Sequence, residues 1–145
     1  MRFAQRHAIT DICLLVESVE RSVEFYVGKL GFKLRRRAEG FADFSGAGVT
    51  LAVWERDHMS RNTGVATRAT TPAERKAIVA LELPAPAAID EAHQELAAAG
   101  VTFEQVPRDY PWNARCAYFA DPDGTIWELY AWLGGGPEAS HTIMG

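Results

Sequence analysis

The same punctuation falls twice in this chain. Lys29-Leu30-Gly31-Phe32 in the first half and Ala98-Ala99-Gly100-Val101 in the second each close a helical pattern with glycine and restart on a strand former. Before Gly31, Val19, Val23, Tyr26, Val27 and Leu30 recur at helical spacing, and before Gly100, Ile89, Ala92, Leu96 and Ala99 do the same. Glycine just past a helix end takes the left-handed conformation without a steric penalty. A strand-like run precedes each helix, over 8–16 and 77–83. Three more follow each: 32–37, 41–44 and 49–54 in the first half, 101–106, 116–119 and 125–132 in the second. Ser18 stands as the N-cap of the first helix, with Arg21 where a capping box wants an acid. Two copies of one β-α-β-β-β unit, neither able to close a core alone, predict an α+β fold. Two βαβββ modules would form a curved mixed sheet around a concave cavity.

On this reading residues 1–133 form one domain. Module 1 covers about 8–54, a polar linker rich in Arg and Thr covers 55–76, module 2 covers about 77–133, and 134–145 is a flexible tail. A length of 145 residues suits such a domain. The net charge of −4 leaves no basic footprint for nucleic acid. The triplet Arg35-Arg36-Arg37 reads as an exposed strand edge or turn, and a protein-binding sheet edge there is the remotest functional reading. No apolar run reaches membrane-spanning length and the N-terminus lacks a signal-peptide core. Cys13 and Cys116, without metal or redox spacing, read as small core residues of a reduced, cytoplasmic protein.

Asp121-Pro122-Asp123-Gly124 is a hairpin turn: Pro122 presets φ, Asp123 can bond its own backbone, and Gly124 supplies the positive φ of a bulged turn. The strand after it carries a carboxylate, Glu128, between Trp127 and Leu129, and a charge in such a strand needs a reason. Parity along the strands sorts the side chains. Asp11, Cys13 and Leu15 face away from the helix, toward a concavity. Thr50, Ala52 and Trp54 point together, as do Ile78, Ala80 and Glu82, and Ile126, Glu128, Tyr130 and Trp132.

This pattern resembles the vicinal oxygen chelate superfamily, which includes glyoxalase I, extradiol dioxygenases, and the fosfomycin and bleomycin resistance proteins. The likeness rests on the stretch from Asp11 through Ser18 to Tyr26, on Leu30-Gly31-Phe32, and on Phe119-Ala120-Asp121-Pro122-Asp123-Gly124-Thr125-Ile126-Trp127-Glu128-Leu129. The resemblance implies metal ligands on the first and last strands of each module, and those places hold Asp11, Thr50, Ile78 and Glu128. Asp11 and Glu128 are weak candidates for a divalent ion; Thr50 is a poor ligand and Ile78 is none, so the set is incomplete and no cofactor is expected. His7 would need a shifted register to take part, and His58, His93 and His141 read as surface. Cys13 is conceivable as a nucleophile but lacks a neighbouring base in sequence.

The aromatic complement then carries the reading. Trp54, Tyr130 and Trp132 share the concave side, Trp112 caps it from a loop, and Arg115 anchors an anion or pairs with Glu128. Pro111-Trp112-Asn113-Ala114-Arg115 followed by the turn resembles the bleomycin-resistance branch. The expected function is a small-molecule binder without a transition metal, acting as a homodimer. Its ligand contacts are Asp11, Cys13, Thr50, Trp54, Trp112, Arg115, Glu128 and Tyr130. The alternative is an enzyme, a glyoxalase-type lyase or isomerase or a dioxygenase-like protein, with Asp11 and Glu128 as metal ligands or as an acid/base pair.

Overall fold

The computed structural model describes residues 2–139. The chain divides into two compact units, Met1–Thr70 and Thr71–Gly145, and each carries the predicted β-α-β-β-β order.

In the first unit a four-residue helix α1 (Phe3–Arg6), which the sequence pattern does not announce, precedes β1 (Asp11–Val16). Helix α2 (Val19–Val23) starts at Ser18, whose Oγ accepts from the Arg21 amide at 3.2 Å, and widens into π-helical turns over Glu24–Lys29. Gly31, at φ +84°, ends it. Then come β2 (Lys33–Ala38), β3 (Phe41–Ser45) and β4 (Thr50–Glu55). The sheet runs β1-β4-β3-β2, with β1 parallel to β4 and the other pairs antiparallel. Val16, Val19, Phe25, Tyr26, Phe44, Leu51 and Val53 are buried, and Tyr26 packs against Phe25 and Phe44 at 5.2 and 5.6 Å between ring centroids. Glu55 Oε2 accepts from the Val19 amide at 3.0 Å, which ties the last strand to the start of the helix.

The segment 55–76 differs from the expected linker. Glu55 belongs to β4, and Arg56–Thr63 form helix α3, closed by Gly64 at φ +77°. Its eight residues contain one buried apolar side chain, Met59, too few to produce a periodic signal.

The second unit repeats the order: β5 (Ile78–Glu82), α4 (Pro86–Ala98), β6 (Phe103–Tyr110), β7 (Ala114–Ala120) and β8 (Ile126–Trp132). The sheet runs β5-β8-β7-β6, again with one parallel pair, β5 with β8. Pro86 opens α4 at its first turn, where a missing N–H costs nothing. Ile89, Leu96, Phe119, Trp127 and Leu129 fill the core under the helix, and the Phe119 and Trp127 rings lie nearly parallel, 8° apart. Strand β6 extends to Tyr110, past the predicted Val106, and tolerates Pro107 because it is an edge strand whose register shifts between Gln105 and Arg108.

The hairpin between β7 and β8 forms as predicted, with one further carboxylate engaged. The Gly124 amide donates to Asp121 O at 3.0 Å and Gly124 sits at φ +88°. Asp121 caps the backbone of the turn: its Oδ1 accepts from the Asp123 and Thr125 amides at 2.9 and 2.8 Å. The expected loose tail is tied at its start, where Asn113 Nδ2 donates to Gly134 O and Gly136 O, each at 3.0 Å. Residues 140–145 of that tail lie outside the described residues.

Candidate functional site

In each unit the helix covers one face of the sheet and leaves the other open. In the second unit the register sets Ile78 beside Ile126, Ala80 beside Glu128 and Glu82 beside Tyr130. On the far side of β8, Tyr118 stands opposite Glu128, Cys116 opposite Tyr130 and Ala114 opposite Trp132. Parity therefore gathers Glu128, Tyr118, Tyr130 and Trp132 on the open face. Trp112, just before β7, stacks on Tyr110 at 4.6 Å between centroids, and Tyr110 meets Tyr118 edge-on at 5.9 Å. The result is a hollow of about 470 Å³ lined by Ala80, Trp112, Glu128, Tyr130 and Trp132. Ala80 makes the room: a larger side chain beside Glu128 would fill it.

Glu128 is held from one side. Tyr118 donates its hydroxyl to Glu128 Oε2 at 2.5 Å, a charge-assisted bond that fixes the carboxylate and leaves Oε1 for another donor. Burial and this bond push the Tyr118 phenol above its ordinary range, so it stays protonated and remains the donor. Tyr130 donates to Glu82 Oε1 at 3.3 Å, and burial with the Glu82 charge raises its phenol as well. Cys116 is fully buried beneath this layer, where burial pushes its thiol up. Tyr118 and Tyr110 are site residues the sequence reading missed, although Phe119 in the core already implied that its neighbour Tyr118 faces the other way.

Arg115 departs from expectation. It lies on the helix-covered face, where Nη2 and Nε donate to Asp90 of α4 at 2.8 and 3.2 Å and Nη1 donates to Asp109 at 3.0 Å. It pairs with neither an open anion site nor Glu128. Odd-numbered neighbours Ala117 and Phe119 share its buried face, so strand alternation explains the placement.

The open face of the first unit has a different character. Asp11 lies beside Thr50, Cys13 beside Ala52 and Leu15 beside Trp54, as parity predicted. Asp11 accepts from the Thr10 hydroxyl at 2.5 Å. Desolvation of the thiol, with the Asp11 charge adding to it, pushes Cys13 up to about 11, so it carries no thiolate at neutral pH although the residue as a whole is exposed. Trp54 donates its indole N–H to His58 Nδ1 at 3.0 Å. His58 is thereby a half-buried partner on α3 instead of a surface residue of a linker. His7 caps α1 and lies off β1, and its ring packs on Phe3 at 4.9 Å.

The first unit also holds a charge cluster that the sequence reading did not find. Asp43, on β3, is fully buried and binds both Arg35 and Arg36. A one-residue bulge between Leu34 and Arg36 makes this possible, because it lets two consecutive residues oppose one partner. Arg35 Nη2 and Nε donate to the Asp43 carboxylate at 2.7 and 3.1 Å, and Arg36 adds Nη2 at 2.8 Å, Nε at 3.0 Å and its amide at 3.1 Å. These bonds, Arg35 first, hold the Asp43 carboxyl at about 2 against the opposing effect of burial. The arginine triplet lies on an exposed edge strand, as expected, and two of its members are also ion-pair partners of a buried acid.

The family-implied ligand positions do not suit a transition metal. Asp11 stands beside Thr50 in the first unit; in the second, Glu128 stands beside Ala80 and the fourth position, Ile78, lies beside Ile126, so neither unit offers an imidazole at these places. Among the described residues no three His, Cys, Asp or Glu side chains gather to hold an ion. No helix among them is long and apolar enough to cross a membrane.

Comparison with known proteins matches this architecture. The model of the Glyoxalase/Bleomycin resistance protein/Dioxygenase superfamily matches residues 8–129. A crystal structure of a glyoxalase/bleomycin resistance protein/dioxygenase from Nocardioides is 50% identical, with a TM-score of 0.85 over 90% of this chain and 87% of that one. The Bacillus subtilis protein named "Uncharacterized protein YraH" is 28% identical over 129 residues, which cover 86% of this chain and 98% of that protein. Lactoylglutathione lyase from Agrobacterium tumefaciens, at 18% identity, shares the fold with a TM-score of 0.67 over 86% of this chain and 92% of that one. Two β-α-β-β-β units, the turn that opens β8 and a match running from the first strand to the last lead to one conclusion: the chain belongs to the glyoxalase/bleomycin resistance protein/dioxygenase superfamily.

Proposed function

We propose that the protein binds a small, planar organic molecule bearing a hydrogen-bond donor or positive charge, without a transition metal, on the open face of its second unit. One observation carries the reading: a carboxylate fixed by Tyr118 opens into a hollow walled by Trp112, Tyr130 and Trp132. Aromatic walls reward a flat ligand by stacking, about 0.5–1.5 kcal/mol per ring pair beyond burial, and attract cations to their faces. The free oxygen of Glu128 then selects for a donor over an acceptor.

The binder is read as a cytoplasmic homodimer. Both cysteines are free thiols, and the edge strand β1 keeps Ile12 and Leu15 partly exposed, which is unusual for a strand that stays unpaired. The net charge of −4 disfavours nucleic acid as a partner.

Equilibrium dialysis against planar aromatic amines tests the reading. At least one member is expected to bind, with Trp112→Ala and Glu128→Gln each weakening it about tenfold, or about 1.4 kcal/mol. A panel without a single binder, or binding indifferent to both substitutions, overturns it.

The bond from Tyr118 to Glu128 also favours a second reading, a lyase or isomerase in which Glu128 takes a proton from a bound substrate. The same Glu128→Gln variant separates the two. A binder loses affinity, whereas an enzyme loses turnover at retained affinity.

A further inference from the structure

We propose that the open face of the second unit is charge-polarised along its length and takes an elongated aromatic zwitterion, its basic group at Glu128 and its acidic group at Lys76. This deepens the binding reading above and rests on it.

A second hollow of about 460 Å³ adjoins the first, lined by Arg75, Lys76, Ala77, Ile78 and Ile126. Its floor, Ile78 and Ile126, occupies the same-face positions immediately before Ala80 and Glu128 on the same two strands. Successive same-face positions are about 6.6 Å apart, so the two hollows form one lane. Ala120, opposite Ile126, keeps the lane open on its far side.

The charges along that lane are sorted by sign. Glu128 and Glu82 stand toward one end, and Lys76 and Arg75 at the other. Arg75 is already engaged: Nη2 pairs with Glu104 at 2.9 Å and Nε donates to Pro72 O at 2.8 Å. Lys76 makes no ion pair among the described residues, so its charge is the one available to a ligand. Between the ends lies apolar surface, with Ile78 60% exposed. Lys76 lies four positions before Ala80, which stands beside Glu128, a span of about 13 Å of extended chain. With the reach of the lysine stem, a ligand whose charges stand roughly 10 Å apart across a ring or hydrocarbon segment meets both ends. A lysine beside an edge strand also deters edge pairing, but that role predicts no dependence of binding on its sign.

Two dansyl probes with matched rings and chains separate these possibilities. Dansylcadaverine ends in an ammonium, and dansyl-6-aminohexanoate ends in a carboxylate. Titrated by probe fluorescence, Lys76→Glu is expected to weaken the carboxylate probe about tenfold or more while leaving the ammonium probe within about twofold or tighter. Glu128→Gln is expected to do the reverse. Lys76 is exposed, and circular dichroism of both variants verifies that the fold persists. If dansylcadaverine binds in a Glu128-dependent way but Lys76→Glu leaves the carboxylate probe unchanged, the polarised lane is wrong and the cavity reading stands. If neither probe binds the wild-type protein, the cavity reading falls and this inference with it.

Discussion

Gly124→Ala is expected to destabilise the second unit by about 2–4 kcal/mol, while Gly31→Ala costs the first unit only about 1 kcal/mol. Both glycines hold a positive φ, +88° and +84°, so both substitutions meet the same left-handed backbone penalty. They differ in what surrounds them. A Cβ at Gly124 would lie 2.0 Å from Pro72 O and 2.6 Å from Pro72 C, whereas nothing stands within 4 Å of one at Gly31. Pro72 is backbone and cannot rotate away. The segment from 72 onward would have to lift off the hairpin, taking with it Arg75, which donates to that same carbonyl, and the start of β5. Urea denaturation of the two variants reads the difference directly. Equal losses would mean that the segment yields freely and that the close approach is not structural.

The second large effect concerns Asp43. Removing both of its partners, in Arg35→Ala/Arg36→Ala, is expected to cost about 3–5 kcal/mol because it strands a buried carboxylate. Asp43→Asn is expected to cost about 2 kcal/mol, since the arginines it abandons are 48% and 68% exposed and water can solvate them. The sign with pH follows from the direction of the shift. A carboxyl held at about 2, against an ordinary value of 3.8, contributes stability that is fully present above the ordinary value and is lost as pH falls toward 2. Wild-type stability should therefore decline between about pH 4 and pH 2, and Asp43→Asn should flatten that part of the profile. Thermal unfolding across that range checks both statements. A variant as acid-sensitive as the wild type would assign the loss to other carboxylates.

What could be read from sequence, and what could not, follows a physical division. The two units were legible because Gly31 and Gly100 close periodic helices and because the turn at Asp121 has chemistry of its own. The faces of β1, β4, β5 and β8 were legible because alternation leaves little choice. Helix α3 was not, since Met59 and the bond from Trp54 to His58 hold it by tertiary contact and not by pattern. Tyr118 and Arg115 were within reach of the parity argument, since Phe119 fixes the phase of β7 and sends the two to opposite faces. Asp43 gave the same signal as Glu128, a charge inside an apolar strand, but its partners come from a bulge, and a bulge hides from any rule that counts by two.

That bulge also bears on how the chain can be lined up with its relatives. Regular pairing would set residue 35 against Asp43; here Leu34 pairs with Phe44 and Arg36 with Asp43, so the strand holds one residue more than the ladder requires. A relative shorter by one at this place would lose a guanidinium from Asp43 yet keep every other rung of the hairpin in step. A gap of a single residue between Leu34 and Arg36 would then mark the loss of an ion pair and leave the fold unchanged.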